Sequence, residues 1–257
     1  MEVLKNIIKN EIVKIDKCPK CGKDCNWIKV PFAHKDLIVP DCKCRIEERK
    51  IDNQDRKIDY NKILIEKYLK QSGIALNKLT LNTFLYSDNE KDKEHQKRVI
   101  AKIKDYIINY KDKYNTSLIA LWGNIGTGKT ELSKIIGKEL IKRYRIRVRY
   151  ITPVRLNFEL RYGITELGMN SIETNKYYYD KLNMIIINEF GTGNSWEQEV
   201  VYDLIDYYYD NNKSLIINTN RYLSKEENNI YAKFWDRIKD KNKNNISLPC
   251  IWSSLRR

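Results

Sequence analysis

No stretch of this 257-residue chain approaches the ~18–20 consecutive apolar residues that cross a bilayer. Its start, Met1-Glu-Val-Leu-Lys-Asn-Ile-Ile-Lys-Asn10, carries charges where a secretory signal needs an apolar block. Both absences point to a cytoplasmic protein with no membrane partner. Thiols stay reduced in the cytoplasm, so clustered cysteines there suit a metal better than disulfides. Internal repeats and long low-complexity tracts are lacking as well. Acidic residues are in deficit, with 34 Asp+Glu against 48 Lys+Arg, a net charge of +14. Such an excess fits a polyanionic partner, most simply nucleic acid. An AT-rich genome, which favours Lys, Asn and Ile, gives the same composition, so charge alone does not decide. The length suffices for one good core plus a small satellite domain.

The most informative stretch is Gly123-Asn-Ile-Gly-Thr-Gly-Lys-Thr130. Gly, four residues, then Gly-Lys-Thr is a phosphate-binding loop when a strand precedes it and a helix follows. The apolar run Ser117–Trp122 reads as that strand, and Glu131–Leu140 has helical spacing. Glycines let backbone N–H groups turn inward around a phosphate, and the helix start adds partial positive charge. The nucleotide contacts are therefore expected from Asn124, Ile125, Gly126, Thr127, Gly128, Lys129, Thr130 and Glu131. Lys129 would neutralise the outer phosphates of ATP, and Thr130 would hold Mg²⁺.

The elements after this loop alternate. Strands are expected at 147–151, 184–187 and 214–217, with helices from Pro153, over 196–211 and over 225–240. Alternation of this kind predicts an α/β fold, a parallel sheet flanked by helices. Ahead of it, residues 1–16 read as a short amphipathic helix, Arg45 to about Lys70 as a helical connector, and 74–87 as an extended lead-in. The resulting domains are 1–45, a helix with a metal module; 46–73, a helical linker; and 74–257, an ATPase.

A triphosphatase needs acidic help at the end of a neighbouring strand. Met184-Ile-Ile-Ile-Asn-Glu-Phe190 offers it, with Glu189 placed to polarise the attacking water. Asn188 stands where an Asp normally orders the Mg²⁺ shell, and the missing charge predicts slow hydrolysis. The next strand ends in Asn220, whose amide could reach the γ-phosphate or the water. Arg237, in Phe234-Trp-Asp-Arg-Ile238, could serve a neighbouring subunit's nucleotide as a guanidinium finger.

Five of the six cysteines fall within residues 17–45. Cys18-Pro-Lys-Cys21-Gly22 is a metal knuckle, and Cys42-Lys-Cys44 supplies a second close pair, which suits tetrahedral Zn²⁺. Cys25 and His34 are possible substitutes or spectators. Cys250 is flanked by apolar residues and reads as core. Among 18 tyrosines, those mixed with cations are candidates for stacking DNA bases: Arg155, Arg161, Tyr162, Lys176 and Tyr177.

Together these residues resemble the DnaC/DnaI/IstB group of AAA+ ATPases, the helicase loaders and their transposition relatives. The resemblance covers about 74–257. Leu118–Leu132 is similar to that group's first motif, Asn183–Gly191 to its acidic strand, and Ile216–Asn220 to its sensor strand. Phe234–Ile238 resembles its arginine-finger box. Trp252-Ser-Ser-Leu-Arg256 resembles its Ser-aromatic-Arg ending, with Leu255 in place of the aromatic. The likeness implies single-stranded DNA binding, contact with a replicative DNA helicase and self-association through the ATP site. A transposase-helper ATPase on duplex DNA, or a zinc adaptor with a weak ATP switch, would share these motifs.

Overall fold

The computed structural model describes residues 12–32, 35–75, 80–162, 178–191, 195–222, 230–240 and 242–256. The chain divides into two compact units, Met1–Ile63 and Leu64–Arg257. Among the described residues, no helix is long and apolar enough to cross a membrane.

The first unit contains an antiparallel three-stranded sheet in the order β1 (Ile12–Lys17), β2 (Asp24–Phe32), β3 (Lys35–Asp41). Residues 12–16, expected at the end of a helix, are strand instead. Ile12, Val13 and Ile15 are β-branched, and their backbone pairs with β2 rather than with itself. The turn from β1 to β2 is closed by Cys18 N–H on Lys23 O at 2.8 Å and Gly22 N–H on Cys18 O at 2.9 Å. All six side chains of β1 are exposed. Apart from Pro40, the buried apolar side chains described in this unit are Cys18 and Cys42. Among the described side chains of this unit, hydrophobic burial is therefore slight. Helix α1 (Lys43–Gln71) starts in this unit and ends in the second.

The second unit is built on five parallel strands in the order β5-β6-β7-β4-β8. These are β4 (Leu118–Gly123), β5 (Val148–Ile151), β6 (Met184–Ile187), β7 (Ser214–Thr219) and β8 (Ile246–Cys250). Around them lie α2 (Glu90–Ile108), α3 (Lys129–Tyr144), α4 (Pro153–Tyr162), α5 (Ser195–Asp210) and α6 (Ile230–Ile238). Both sheet faces are covered, and for that reason the strands read as unbroken apolar runs. Ile119, Leu121, Ile186, Ile216 and Leu248 join one core with α2 and α3. Leu118, Ala120, Ile185, Ile187, Leu215 and Ile217 join the other with α4, α5 and α6. Helix α2 begins where Asn89 Oδ1 accepts from the N–H groups of Lys91 and Asp92, at 3.0 and 3.2 Å.

Edge strand β5 is covered by the chain leaving α1. Tyr150 N–H donates to Ser72 O at 2.7 Å, and Arg149 Nη1 donates to Gln71 O at 3.3 Å. Arg149 is itself anchored by Glu159, at 2.7 Å between Nη2 and Oε1, with both side chains almost fully buried. Arg155 Nε and the Tyr179 hydroxyl complete the shell of this carboxylate at 3.1 and 2.6 Å. Removing one partner of such a pair strands a charge out of water. Glu159→Ala is expected to cost about 3–5 kcal/mol in urea unfolding. Glu94→Ala, which breaks only an exposed pair with Arg98, should leave the midpoint unchanged.

Candidate nucleotide site and cysteine cluster

Strand β4 ends at Gly123 and α3 begins at Lys129, so the glycine-rich loop is the bend between them. The bend is tight. Gly126 and Gly128 have φ of 80° and 85°, in the left-handed region that side chains disfavour. A Cβ on Gly126 would meet Ser254 Oγ at 2.2 Å, and one on Gly128 would meet the Phe84 ring at 2.8 Å. At the base of the loop, Asn124 N–H donates to Cys250 O at 3.0 Å, tying it to β8.

Lys129 is only 6% exposed. Its Nζ donates to Gly123 O at 3.0 Å, to Asn124 O, and to Thr127 Oγ1 at 3.3 Å. Burial holds its pKa below that of a free lysine, and Cys250 lies close enough to oppose the shift weakly. The Cys250 thiol is pushed up to about 12 by burial, which keeps it neutral.

The loop borders a cavity of about 510 Å³. Ile125, Gly126, Thr127, Gly128, Lys129, Thr130 and Glu131 line it, and Asn188, Glu189 and Asn220 close it from the ends of β6 and β7. Thus the expected nucleotide residues converge, with one exception. Asn124 turns away, its Nδ2 donating to Ile251 O at 3.0 Å and its Oδ1 accepting from the Tyr222 hydroxyl. Phe84, Leu85, Tyr150, Asn218, Leu255 and Arg256 also line the cavity, and sequence reasoning assigned none of them there. Asn218 carried a signal: an amide inside the otherwise apolar run Leu215-Ile-Ile-Asn218.

Asn188 Oδ1 accepts from Thr130 Oγ1 at 2.9 Å and from Asn218 Nδ2 at 3.0 Å. Asn218 Nδ2 also reaches Ser133 Oγ at 2.7 Å, while its Oδ1 is buried without a partner among the described residues. The oxygens of Thr130, at the head of α3, and of Asn188, after β6, are hard ligands that fit Mg²⁺ with its water shell. Glu189 follows with φ of 61°, a strained value for a residue with a side chain. Tyr150, beside the carboxylates of Glu189 and Glu131, is pushed up to about 12, mainly by burial.

Arg237 does not line this cavity. On α6 its Nη2 pairs with Asp206 Oδ1 at 2.6 Å and its Nη1 donates to the Tyr202 hydroxyl. The guanidinium also lies over the rings of Tyr202 and Tyr209, at 5.1 and 5.5 Å. Of the expected DNA residues, Arg155 is bound to Glu159 and lies over Phe158 at 5.6 Å. Arg161 and Tyr162 occupy the last turn of α4, and Lys176 and Tyr177 lie outside the described residues.

In the first unit, Cys18, Cys21, Cys42 and Cys44 bring their four sulfurs within 4.8 Å of one another. The closest approaches are 3.4, 3.5 and 3.7 Å. Four thiolates at Zn–S of about 2.3 Å around a tetrahedron are about 3.8 Å apart, so the cluster is sized for one such ion. Cys25 is outside it, its thiol facing Asp16 O at 3.6 Å, and His34 lies outside the described residues. All six cysteines are free thiols. The loop generates a direct test. Gly126→Ala combines a forced left-handed φ with a clash against Ser254, and a loss of roughly 1–3 kcal/mol in thermal unfolding is expected.

A model of the bacterial DnaA ATPase domain matches residues 76–243, well over half of the chain. The chromosomal replication initiator DnaA of Buchnera aphidicola subsp. Cinara cedri is 26% identical over 209 residues, 76% of this chain and 44% of that protein. DnaA of Leptospira biflexa is 26% identical over 119 residues, 45% of this chain and 26% of that protein. The chain therefore spans less than half the length of these relatives. Among solved structures, the DnaC helicase loader superposes with a TM-score of 0.52 at 20% identity, covering 71% of this chain and 98% of that one. DnaI gives 0.51 at 18% identity, covering 70% and 91%. AMPPCP-bound DnaA from Aquifex aeolicus gives 0.50 at 19% identity, covering 69% and 51%. By its sequence the chain belongs to the bacterial DnaA ATPase-domain family, and its fold is similar to those of DnaC and DnaI.

Proposed function

We propose that this protein is an ATP-dependent helicase loader in DNA replication. The reading rests on one observation: Lys129, Thr130, Asn188, Glu189 and Asn220, from three separate segments, line a single cavity. Backbone amides of the loop and Lys129 would bind the phosphates of ATP, and Thr130 with Asn188 would hold Mg²⁺ and its waters. Glu189 would orient the attacking water, and Asn220 would sense the γ-phosphate. Arg237, placed away from its own cavity, would act on the nucleotide of an adjacent copy. Family and fold support ATPase activity of a replication-related AAA+ protein. The cysteine cluster would bind one Zn²⁺ and give the first unit its core. That unit would contact a replicative hexameric helicase in the cytoplasm. Single-stranded DNA would be held through Arg155, Arg161, Tyr162, Lys176 and Tyr177.

Asn188 favours a second reading, a zinc adaptor with a weak ATP switch. Its neutral amide accepts from Thr130 where a carboxylate would add charge to the metal shell. We therefore expect slow hydrolysis. Restoring the charge in Asn188→Asp should raise phosphate release by about tenfold, the rate equivalent of ~1.4 kcal/mol. An unchanged rate would remove the explanation. Calorimetry should detect Mg·ATP binding that Lys129→Ala abolishes; equal heats for both proteins would refute the nucleotide site. Affinity capture from a producing lysate should retain a hexameric helicase. Preference for duplex over single-stranded oligonucleotides would instead indicate a transposase helper. Elemental analysis should find about one zinc per chain, lost together with the far-UV signal of the first unit in Cys18→Ser/Cys42→Ser.

A further inference from the structure

Strand β1 lies at one edge of the three-stranded sheet, and among the described residues no strand pairs with its outer side. The ladder shows which backbone groups face that side. Cys18 N–H donates to Lys23 O at 2.8 Å, and Lys17, Asp16 and Ile15 continue the register opposite Asp24, Cys25 and Asn26. Hydrogen bonding alternates along an antiparallel pair. Lys14 and Asp16 therefore turn their N–H and C=O toward β2, and Ile15 and Lys17 turn theirs outward. The Cys25 thiol on Asp16 O, at 3.6 Å, agrees with this. Lys17 N–H is met by the neighbouring Asp16 Oδ1 at 2.8 Å, and Ile15 offers both backbone groups to the edge. The side chains are open too. Ile12 is 57% and Ile15 73% exposed, and no large apolar side chain among the described residues is more exposed than Ile15.

Such an edge is a template for another strand. Lysines on an edge normally discourage pairing, but Ile12-Val-Lys-Ile-Asp-Lys17 is complementary to itself. Run antiparallel about a two-fold axis at Ile15, a second copy sets its Asp16 opposite Lys14, its Lys14 opposite Asp16, and its Val13 opposite Lys17. The two Ile15 side chains meet on one face. Sliding the register by two residues in either direction brings Lys14 against Lys14 or Asp16 against Asp16, and like charges directly opposite destabilise a sheet. The charges thus select one register. Within one chain Lys14 Nζ pairs with Asp16 Oδ2 at 2.7 Å, with both side chains about half exposed. Exchanging that pair for two between copies costs little. The β-bulge lies between Ile12 and Lys14, before the central residues of this register.

We propose that β1 is a self-association edge, through which two copies of this chain join their three-stranded sheets antiparallel about Ile15. The contact is isologous and closes as a dimer. It is independent of the nucleotide cavity and of the nucleotide reading above. One strand pairing buries less than the ~1,200 Å² of a standard interface, so the dimer is weak and reversible.

The test is sedimentation equilibrium of the full chain without nucleotide, over about 10–500 µM to suit a weak interface. Wild type should pass from monomer to dimer, and Lys129→Ala should do the same, which separates this contact from assembly through the ATP site. Ile15→Lys alters a mostly exposed side chain and places like charges across the axis. It should weaken dimerisation about tenfold or more. Lys14→Asp and Asp16→Lys should each weaken it similarly, and the double swap Lys14→Asp/Asp16→Lys should recover it to within about twofold, because the opposed charges are again unlike. Far-UV circular dichroism of each variant identifies any loss that comes from misfolding. Facing Cα atoms in this register are ~5.5 Å apart, within disulfide range. Mild oxidation should therefore link Ile15→Cys into a covalent dimer far more than Ile38→Cys, a change at an exposed position on β3, or wild type. A wild type that stays monomeric throughout overturns the proposal. So does a dimer that Ile15→Lys and both single charge changes leave intact, or a double swap no better than the singles.

Discussion

A lysine ammonium held by two backbone carbonyls and a threonine hydroxyl is the interaction on which this site depends. Lys129 can sit there because β4 stops at Gly123 and the chain reverses through two left-handed glycines before α3 begins. Burial disfavours its charge, and Gly123 O, Asn124 O and Thr127 Oγ1 offset that cost with directed hydrogen bonds. The loop is in turn clamped from the far side by Cys250 O, the Trp252 indole and the Leu255 amide. A phosphate-binding loop has few apolar contacts of its own, so its shape comes from these neighbours.

The two units solve the stability problem differently. The second has enough strand and helix to bury apolar residues on both faces of a parallel sheet, which accounts for two separate cores. The first exposes all of β1, and among its described side chains two cysteines and a proline are buried. Four sulfurs in this unit lie at metal-site spacing, and an ion held there would add stability that apolar burial supplies in the second.

The polar chemistry of the cavity is unusually neutral at its centre. Thr130, Asn188, Asn218 and Ser133 form a run of hydroxyls and amides linking α3 to β6 and β7. A buried network of this kind fixes the mutual position of three elements without charge. The charged side chains among the described lining residues are Lys129, Glu131, Glu189 and Arg256.

Much of this was legible in the sequence because it is local. Gly-x-x-x-x-Gly-Lys-Thr fixes a loop through backbone geometry alone, Cys-x-x-Cys fixes a knuckle, and unbroken runs such as Met184–Ile187 can only be strands covered on both sides. Other features went unread because they depend on distant pairing. Residues 12–16 joined a sheet since β2 lay opposite, and β8 was missed because Ile246–Cys250, interrupted by a proline, becomes a strand only beside β4. Phe84, Asn218 and Arg256 come from before α2, from β7 and from beyond β8, so only the folded chain makes them neighbours of one cavity. The sequence by itself determined the loop, the knuckle and the alternation of elements, since each follows from contacts within a few residues. Tertiary structure alone decided that Arg237 would stay out of the cavity's lining and that Leu255 and Arg256 would join it, because both depend on where long connections return.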